Sequence, residues 1–362
     1  MYFLPFKEMT FFKVRFLLIS FILFFVAILV FVISGLANGL SMNNASSIIN
    51  MDADSFYLQK SADNRIDRSH LTLDIEKLDS NSDAQPIGIQ MGALAQKNSD
   101  NKVDVTFMAI KPGSFLEPKL VNGKGLMTGG MNALLLDRSL KSENIKVGDI
   151  LEDARSGFEF TVAGFMEDQT FSHTPVALIS LESWKKTTGG NKGNEFNAVV
   201  LKKNNQFQKK EIANSVENGK WIEKGQIVKG IPGYSAEQNS LYMMLSFLIV
   251  IAVFVLAAFF YIMTIQKTAQ FGILKAIGAK SSLLVKSTIF QVILLTVVNI
   301  AAAVAFTRVF MVVLPNDIPF IFDMKQIAKF SGILFLVSIF GSLLSVFNIV
   351  KADPIQAMGR LE

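Results

Sequence analysis

Residues Phe16 to Leu36 read FLLISFILFFVAILVFVISGL, a run without one charged side chain. As a helix rising 1.5 Å per residue, it has the length needed to cross a hydrocarbon core of about 30 Å. Three further runs of this kind crowd the C-terminal third: Leu245 to Thr264, Ser287 to Val313 and Phe330 to Val350. A long polar stretch, residues 41–240, separates the first run from the second. The pattern predicts an α-helical membrane protein with four transmembrane helices and an extracytoplasmic α+β domain between helices 1 and 2. The apolar core of the first run is longer than the 7–15 residues of a signal peptide, and no clean small-x-small site follows it, so it reads as a retained anchor.

Composition agrees with this layout. The chain is 51% hydrophobic, carries 32 Phe, and has only 18% charged residues. Residues 41–240 hold 23 Lys and Arg against 25 Asp and Glu, whereas the remainder holds 12 against 5. The basic excess therefore flanks the apolar runs, as expected for contact with anionic lipid headgroups; nucleic acid would call for a basic face on the folded domain. With no cysteine in the chain, disulfides, thiolate metal sites and thiol catalysis are excluded.

Short flanking segments set the expected orientation. Lys7, Lys13 and Arg15 precede the first run, Lys267, Lys275, Lys280 and Lys286 lie between the second and third, and Lys351 and Arg360 follow the fourth. The positive-inside rule puts these in the cytoplasm of a multi-pass protein of the cell membrane, with the large domain outside. The predicted division is a cytoplasmic interfacial helix over 1–15, transmembrane helix 1 over 16–40, the extracytoplasmic domain over 41–240 and helix 2 over 241–265. A cytoplasmic segment follows over 266–286, then helix 3 over 287–313, a short external loop over 314–328, helix 4 over 329–350 and a cytoplasmic tail over 351–362.

Within the domain, strand-like runs occur at Val103–Ile110, Ala133–Leu136, Phe158–Phe165, Val176–Ser180 and Phe196–Lys202. The clearest alternation, Phe158-Glu159-Phe160-Thr161-Val162, follows the turn Arg155-Ser156-Gly157, as a hairpin with one buried face requires. Asn191-Lys192-Gly193-Asn194 reads as a loop and Lys203–Val216 as a helix. In the 265–286 segment, Phe271, Leu274 and Ile277 recur at helical spacing, with Lys275 on the other side and Gly278 placed to end the turn. Both an amphipathic helix with a partner and a helix lying on lipid fit this pattern.

Motifs for chemistry are sparse. Gly272…Gly278-Ala279-Lys280-Ser281 fails as a phosphate-binding loop, because Ala279 separates glycine from lysine and the string follows an apolar helix rather than a strand. Any energy from ATP must come from another chain. His70 and His173 have no metal-ligand spacing, and no nucleophile elbow is present, so an enzyme is not expected. Gly35…Gly39 and Gly341…Ser345 are small-xxx-small pairs that permit close helix packing, within the chain or between copies. Asn299 and Arg308 are polar groups inside the third run; the first is expected to bond a neighbouring helix and the second to snorkel outward. Met51 and Phe56 follow the first run, Tyr234 leads into the second, and Phe171 and His173 sit after the central hairpin. Tyr, His and Met can all be axial ligands of haem iron, and aromatics suit a porphyrin face. Aromatic belts and gap-filling methionines on a membrane protein give the same pattern, so the residues alone leave both readings open.

The layout resembles the FtsX/MacB class of ABC transporter permeases. The resemblance rests on Gln270-Phe271-Gly272-Ile273-Leu274-Lys275-Ala276-Ile277-Gly278, which is similar to the coupling segment of the class. It rests also on the ending Asp353-Pro354-Ile355-Gln356-Ala357, and on Val147-Gly148-Asp149 through Phe160-Thr161-Val162-Ala163-Gly164 in the outer, MacB-like domain. Ile33–Leu40, Tyr234-Ser235-Ala236-Glu237-Gln238 and Ala258–Lys267 are similar to a haem-exporting branch of the class. The resemblance implies a homodimer working with two copies of a separate ATPase, no intrinsic cofactor, and haem as the transported ligand in a mechanotransmission mechanism. It implies ATPase coupling through Gln270, Phe271, Gly272, Leu274, Lys275, Ile277 and Gly278. A lipid-facing haem site near Tyr234, His173, Phe171, Phe56 and Met51 follows, with Arg68 or Arg65 pairing a propionate. Two other activities of the class fit the same layout: export or sensing of an antimicrobial peptide or lipoprotein, and FtsX-like activation of a cell-wall hydrolase.

Overall fold

The computed structural model describes residues 3–72, 83–96, 102–188, 195–315 and 318–351, with backbone only at 3–6, 269 and 344–351. It divides into two compact units, Met1–Gly39 with Asn239–Glu362, and Leu40–Gln238.

The helical unit starts with α1 (Phe3–Phe11), separated by Phe12 alone from α2 (Lys13–Ile49). The later helices of the chain include α6 (Tyr234–Gln266), α7 (Thr268–Ala276), α8 (Ser281–Val313) and α9 (Met324–Lys351). Among the described residues, four helices are long and apolar enough to cross a membrane, beginning at Lys13, Tyr234, Ser281 and Met324. Each starts ahead of its apolar run because backbone hydrogen bonding does not stop where hydrophobicity does. Residues 281–286, assigned to the cytoplasmic segment over 266–286, are the first turns of α8. Two apolar clusters join the spans. One packs Ala27 and Phe31 of α2 against Leu245, Ala303, Phe330 and Leu334; the other packs Phe16 and Leu23 against Leu256, Phe260, Val292 and Leu295.

Of the two small-residue pairs, Gly35 and Gly39 meet a loop rather than a helix within this chain. A Cβ on Gly39 would lie 2.0 Å from the Pro319 carbonyl oxygen, and one on Gly35 would lie 2.5 Å from the Phe320 ring. These glycines therefore seat the segment between α8 and α9, which closes over α2 with Ile321 N–H donating to the Gly35 carbonyl at 3.1 Å. Gly341 does serve a helix contact, since its Cβ position lies 3.3 Å from the Ala257 nitrogen on α6. The side chain of Ser345 lies outside the described residues. Asn299 donates to Ser20 Oγ at 3.1 Å, bonding α8 to α2.

The inserted unit is α+β. Its strands are β1 (Ser55–Gln59), β2 (Leu71–Thr72), β3 (Ala84–Gln96), β4 (Lys102–Ile110), β5 (Leu120–Gly123), β6 (Ala133–Asp137) and β7 (Ile150–Asp153). They continue with β8 (Glu159–Met166), β9 (Thr170–Phe171), β10 (Thr174–Ser180), β11 (Glu195–Phe196), β12 (Ala198–Leu201) and β13 (Gly219–Glu223). Helices α3 (Leu181–Thr187), α4 (Gln206–Ser215) and α5 (Lys224–Gly230) complete it. The main sheet runs β13-β1-β12-β3-β4-β10-β6-β8-β5, and β7 bridges β3 and β8. That bridge closes β3, β4, β10, β6, β8 and β7 into a ring. Strand β3 is long enough to pair β12 through Ala84–Ile87 and β7 through Leu94–Gln96, so it joins the ring to the β13-β1-β12 arm.

Both faces of the ring strands are covered, and the period-two alternation divides them. Phe107, Ala109, Leu134, Leu136, Ala177 and Ile179 fill one core with Phe160 and Val162. Their neighbours Met108, Ile110, Leu135, Val176 and Leu178 fill a second core with Ala45 and Ile48 of α2 and Ile227 and Val228 of α5. The Arg155-Ser156-Gly157 turn, with Gly157 at φ +71°, joins the β7–β8 hairpin. Asn191–Asn194 and Asp353–Ala357 lie outside the described residues.

Candidate substrate site and coupling joint

In the inserted unit, the polar chemistry singled out from sequence gathers around a two-residue hairpin turn. Strands β9 and β10 pair Phe171 with Thr174, and the intervening Ser172 and His173 both adopt the left-handed region, at φ +51° and +64°. That is the backbone a tight hairpin requires, because its twist matches the flanking strands. The turn is anchored on the last turns of α2: Ser172 N–H donates to the Asn44 carbonyl at 2.7 Å, and Thr170 N–H donates to Ser46 Oγ at 2.9 Å.

His173 is thereby held against the first turn of α6, with Nε2 at 2.8 Å from Glu237 Oε1. A carboxylate only accepts, so Nε2 carries the proton and donates it. Asn44 Nδ2 is 3.1 Å from the same Nε2 and donates to the Pro232 carbonyl at 3.4 Å and to Glu237 Oε2 at 3.5 Å. The buried Asn44 Oδ1 has no hydrogen-bond partner among the described residues. One turn earlier on each helix, Tyr234 Oη and Ser41 Oγ lie 2.8 Å apart.

Tyr234 and His173 thus lie in two neighbouring polar groups one helical turn apart, Tyr234 with Ser41 and His173 with Asn44 and Glu237; the sequence reading gave Ser41, Asn44 and Glu237 no ligand role. The other predicted ligand residues have different surroundings. Phe56 and Phe171 are fully buried core side chains rather than an exposed porphyrin face. Drawing either ring out would forfeit about 1.5–3 kcal/mol of burial and leave a cavity behind. Met51 belongs to the same core but also lines a cleft of about 440 Å³ with Asn50, Asp52, Phe115, Glu167 and Asp168. Arg68 is exposed on the short turn Ile66–Arg68, and Arg65 is engaged by Asp67 at 2.5 Å. At the cleft, burial raises the Asp168 carboxyl above its usual range, partly opposed by the Arg138 guanidinium. Lys224 donates to the Met51 carbonyl at 2.7 Å, and burial lowers its pKa against the pull of Asp52 and Asp54.

In the helical unit, the joint between α6 and α7 is the single residue Lys267. On α7, Phe271 is buried against Leu284, with Leu274 packed beside them. Ile277, the C-cap of α7, still donates to the Ile273 carbonyl at 3.1 Å but does not join the apolar face, being 79% exposed. Gly278 takes φ +100° and donates to the Lys275 carbonyl at 3.0 Å, which ends the helix.

Residues 242–354 match the family model described as FtsX-like permease C-terminal. With full-length relatives more than 30% identical, the chain belongs to the FtsX-like family of ABC transporter permeases. One of those relatives is named as hemin transport system permease protein HrtB of Staphylococcus haemolyticus (strain JCSC1435), 31% identical over 99% of each chain. An HrtB from Staphylococcus epidermidis (strain ATCC 35984) is 32% identical over 98% of this chain and 99% of its own. Among solved structures, the extracellular domain of the noncanonic ABC-type transporter YknZ from Gram-positive bacteria covers 47% of this chain and 98% of that one. Its identity is 14% and its TM-score 0.33, an overlap too loose to carry an argument.

Proposed function

We propose that the chain is the permease subunit of an ATP-driven exporter of haem that protects the cell from haem toxicity. The observation that carries this reading is identity of 31% over 99% of both chains with a permease named for hemin transport. Two copies of the chain would work with two copies of a separate ATPase. Both termini and residues 266–286 would lie in the cytoplasm and residues 41–240 outside. ATP-driven closure of the ATPases would reach α7, and α6 and α2 would carry the movement to the inserted unit by mechanotransmission.

Tyr234 and, one helical turn away, the His173–Glu237 pair would offer the donor set for haem. Ligation of iron through His173 Nδ1 would leave the Nε2–Glu237 bond intact, the usual arrangement behind a ligating imidazole. Arg68, exposed to solvent, would meet a propionate there. Phe56 and Phe171, buried in the core, would support the site through packing.

Titrating the purified protein with hemin, alongside Tyr234→Ala and His173→Ala, tests this. The expected result is a saturable Soret shift that weakens at least about tenfold in affinity in one variant, the loss of roughly 1.4 kcal/mol. Equal titrations in all three proteins would remove the site. No shift beyond that of detergent would overturn haem as the ligand and favour a peptide or lipid substrate.

A further inference from the structure

Three polar side chains from distant parts of the chain converge in the helical unit at the α6–α7 joint. Lys267 Nζ donates to Glu8 Oε2 at 2.8 Å and to Gln291 Oε1 at 3.0 Å. Gln291 Nε2 donates to the same Glu8 oxygen at 2.6 Å, so the triangle is closed. Nζ also sits 5.2 Å from the centre of the Phe16 ring. The Lys267 side chain is only 3% exposed and that of Glu8 15%; Gln291 is fully buried. Removing an ammonium and a carboxylate from water is costly unless each is paired and hydrogen-bonded, and here both conditions hold. A pair so placed is weak grounds for stability and better grounds for fixing one geometry.

The geometry it fixes is specific. Lys267 is itself the one-residue break between α6 and α7, and its carbonyl accepts from Phe271 N–H of α7 at 2.9 Å. Glu8 lies on α1, one turn before Phe12, the one-residue break between α1 and α2; Phe12 N–H donates to the Glu8 carbonyl at 3.0 Å. Gln291 stands on α8. Two helix breaks are thus fastened to each other through their neighbouring side chains, with the third span as the common support.

We propose that Glu8, Lys267 and Gln291 are positioning residues of energy coupling: a clasp that makes the N-terminal helix α1 move with the α6–α7 joint. Tilting of α7 against α6 bends the backbone at Lys267 while its ammonium stays held by Glu8, so displacement passes to α1, across Phe12, and into α2. Since α2 and α6 are the helices that lead into the inserted unit at its two ends, the stroke enters that unit from both. The proposal rests on the ATP-driven permease reading for its purpose but not for its geometry.

The absence of cysteine allows a direct test in the full chain. Spin labels on Phe11→Cys of α1 and Ile273→Cys of α7, both exposed, report the distance between the two helices. With the clasp intact, one narrow distance distribution is expected. In Glu8→Gln/Lys267→Gln, which removes both charges while keeping volume and so avoids a stranded buried charge, it should broaden. In cells also expressing the ATPase, hemin efflux per ATP hydrolysed should fall at least about fivefold in that variant, and Glu8→Lys/Lys267→Glu should recover part of it. An unchanged distribution, or unchanged efflux per ATP, would overturn the clasp. Failure of the wild-type chain to export hemin would instead overturn the transport reading, with the distance measurement still deciding the geometry.

Discussion

Asp168 shows how a single carboxylate reports on the cleft it borders. Its backbone is left-handed at φ +52°. Arg138, 4.0 Å away, also pairs with Glu167; although the Asp168 side chain keeps 59% of its surface exposed, partial desolvation of its carboxyl outweighs the attraction and raises its pKa from 3.8. In the pH window above 3.8 the folded protein then binds more protons at this site than the unfolded chain, so the contribution of Asp168 to stability falls as pH rises through it. Asp168→Asn, which also tolerates the left-handed region, should flatten that part of the thermal-stability profile and raise the unfolding temperature at neutral pH. A profile parallel to that of wild type would show that burial is not the controlling influence. The residues of the candidate site were legible in proportion to how distinctive their chemistry is. Tyr234 and His173 stand out by type; Asn44 and Glu237 read as ordinary polar residues until the hairpin turn brings them together. The burial of Phe56 and Phe171 was not legible, because an aromatic in a short strand looks the same whether it meets a core or a lipid surface. A signal for the clasp did exist: Glu8 is the one acidic residue among residues 1–15, and Gln291 interrupts an apolar helix.

At the scale of elements, local patterns were legible and pairings between distant segments were not. The four apolar runs and the alternation in Phe158–Val162 are properties of a few consecutive residues, and each corresponds to an element in the structure. Closure of the strand ring depends on Leu94–Gln96 meeting Leu151–Asp153, which no local pattern announces. The same limit applied to Gly35 and Gly39, whose spacing signals a close approach without naming the partner. Gly39→Ala separates the two possibilities. In an exposed helix interior, Ala exceeds Gly by about 1 kcal/mol, and Gly332→Ala on α9, where a Cβ would meet nothing within 4 Å, should follow that rule. At Gly39 the new methyl would fall on the Pro319 and Phe320 backbone, which cannot swing aside as a side chain can. We expect Gly39→Ala to lose about 1–3 kcal/mol despite its better helix propensity, read as a lower unfolding temperature in detergent than that of Gly332→Ala. Equal temperatures for the two variants would mean that the segment between α8 and α9 does not close on α2.

For the whole molecule, the charge distribution carries the proposed orientation, with residues 41–240 outside the cell. Residues outside 41–240 hold 12 basic against 5 acidic side chains, concentrated beside the ends of the spans that carry α1 and α7. Each such cation costs more to translocate than to retain, which is the origin of the positive-inside rule. Under the proposed orientation the joint at Lys267 is cytoplasmic, and the reverse orientation would cut it off from ATP. The cysteine-free chain makes the orientation directly measurable. Met127→Cys lies on the inserted unit and Ile277→Cys just beyond α7; the native side chains are 70% and 79% exposed. In intact cells, a membrane-impermeant maleimide should label Met127→Cys, and should reach Ile277→Cys only after permeabilisation. The opposite pattern would place the inserted unit in the cytoplasm and defeat the exporter reading at its root, since the energy-coupling joint would then have no access to ATP.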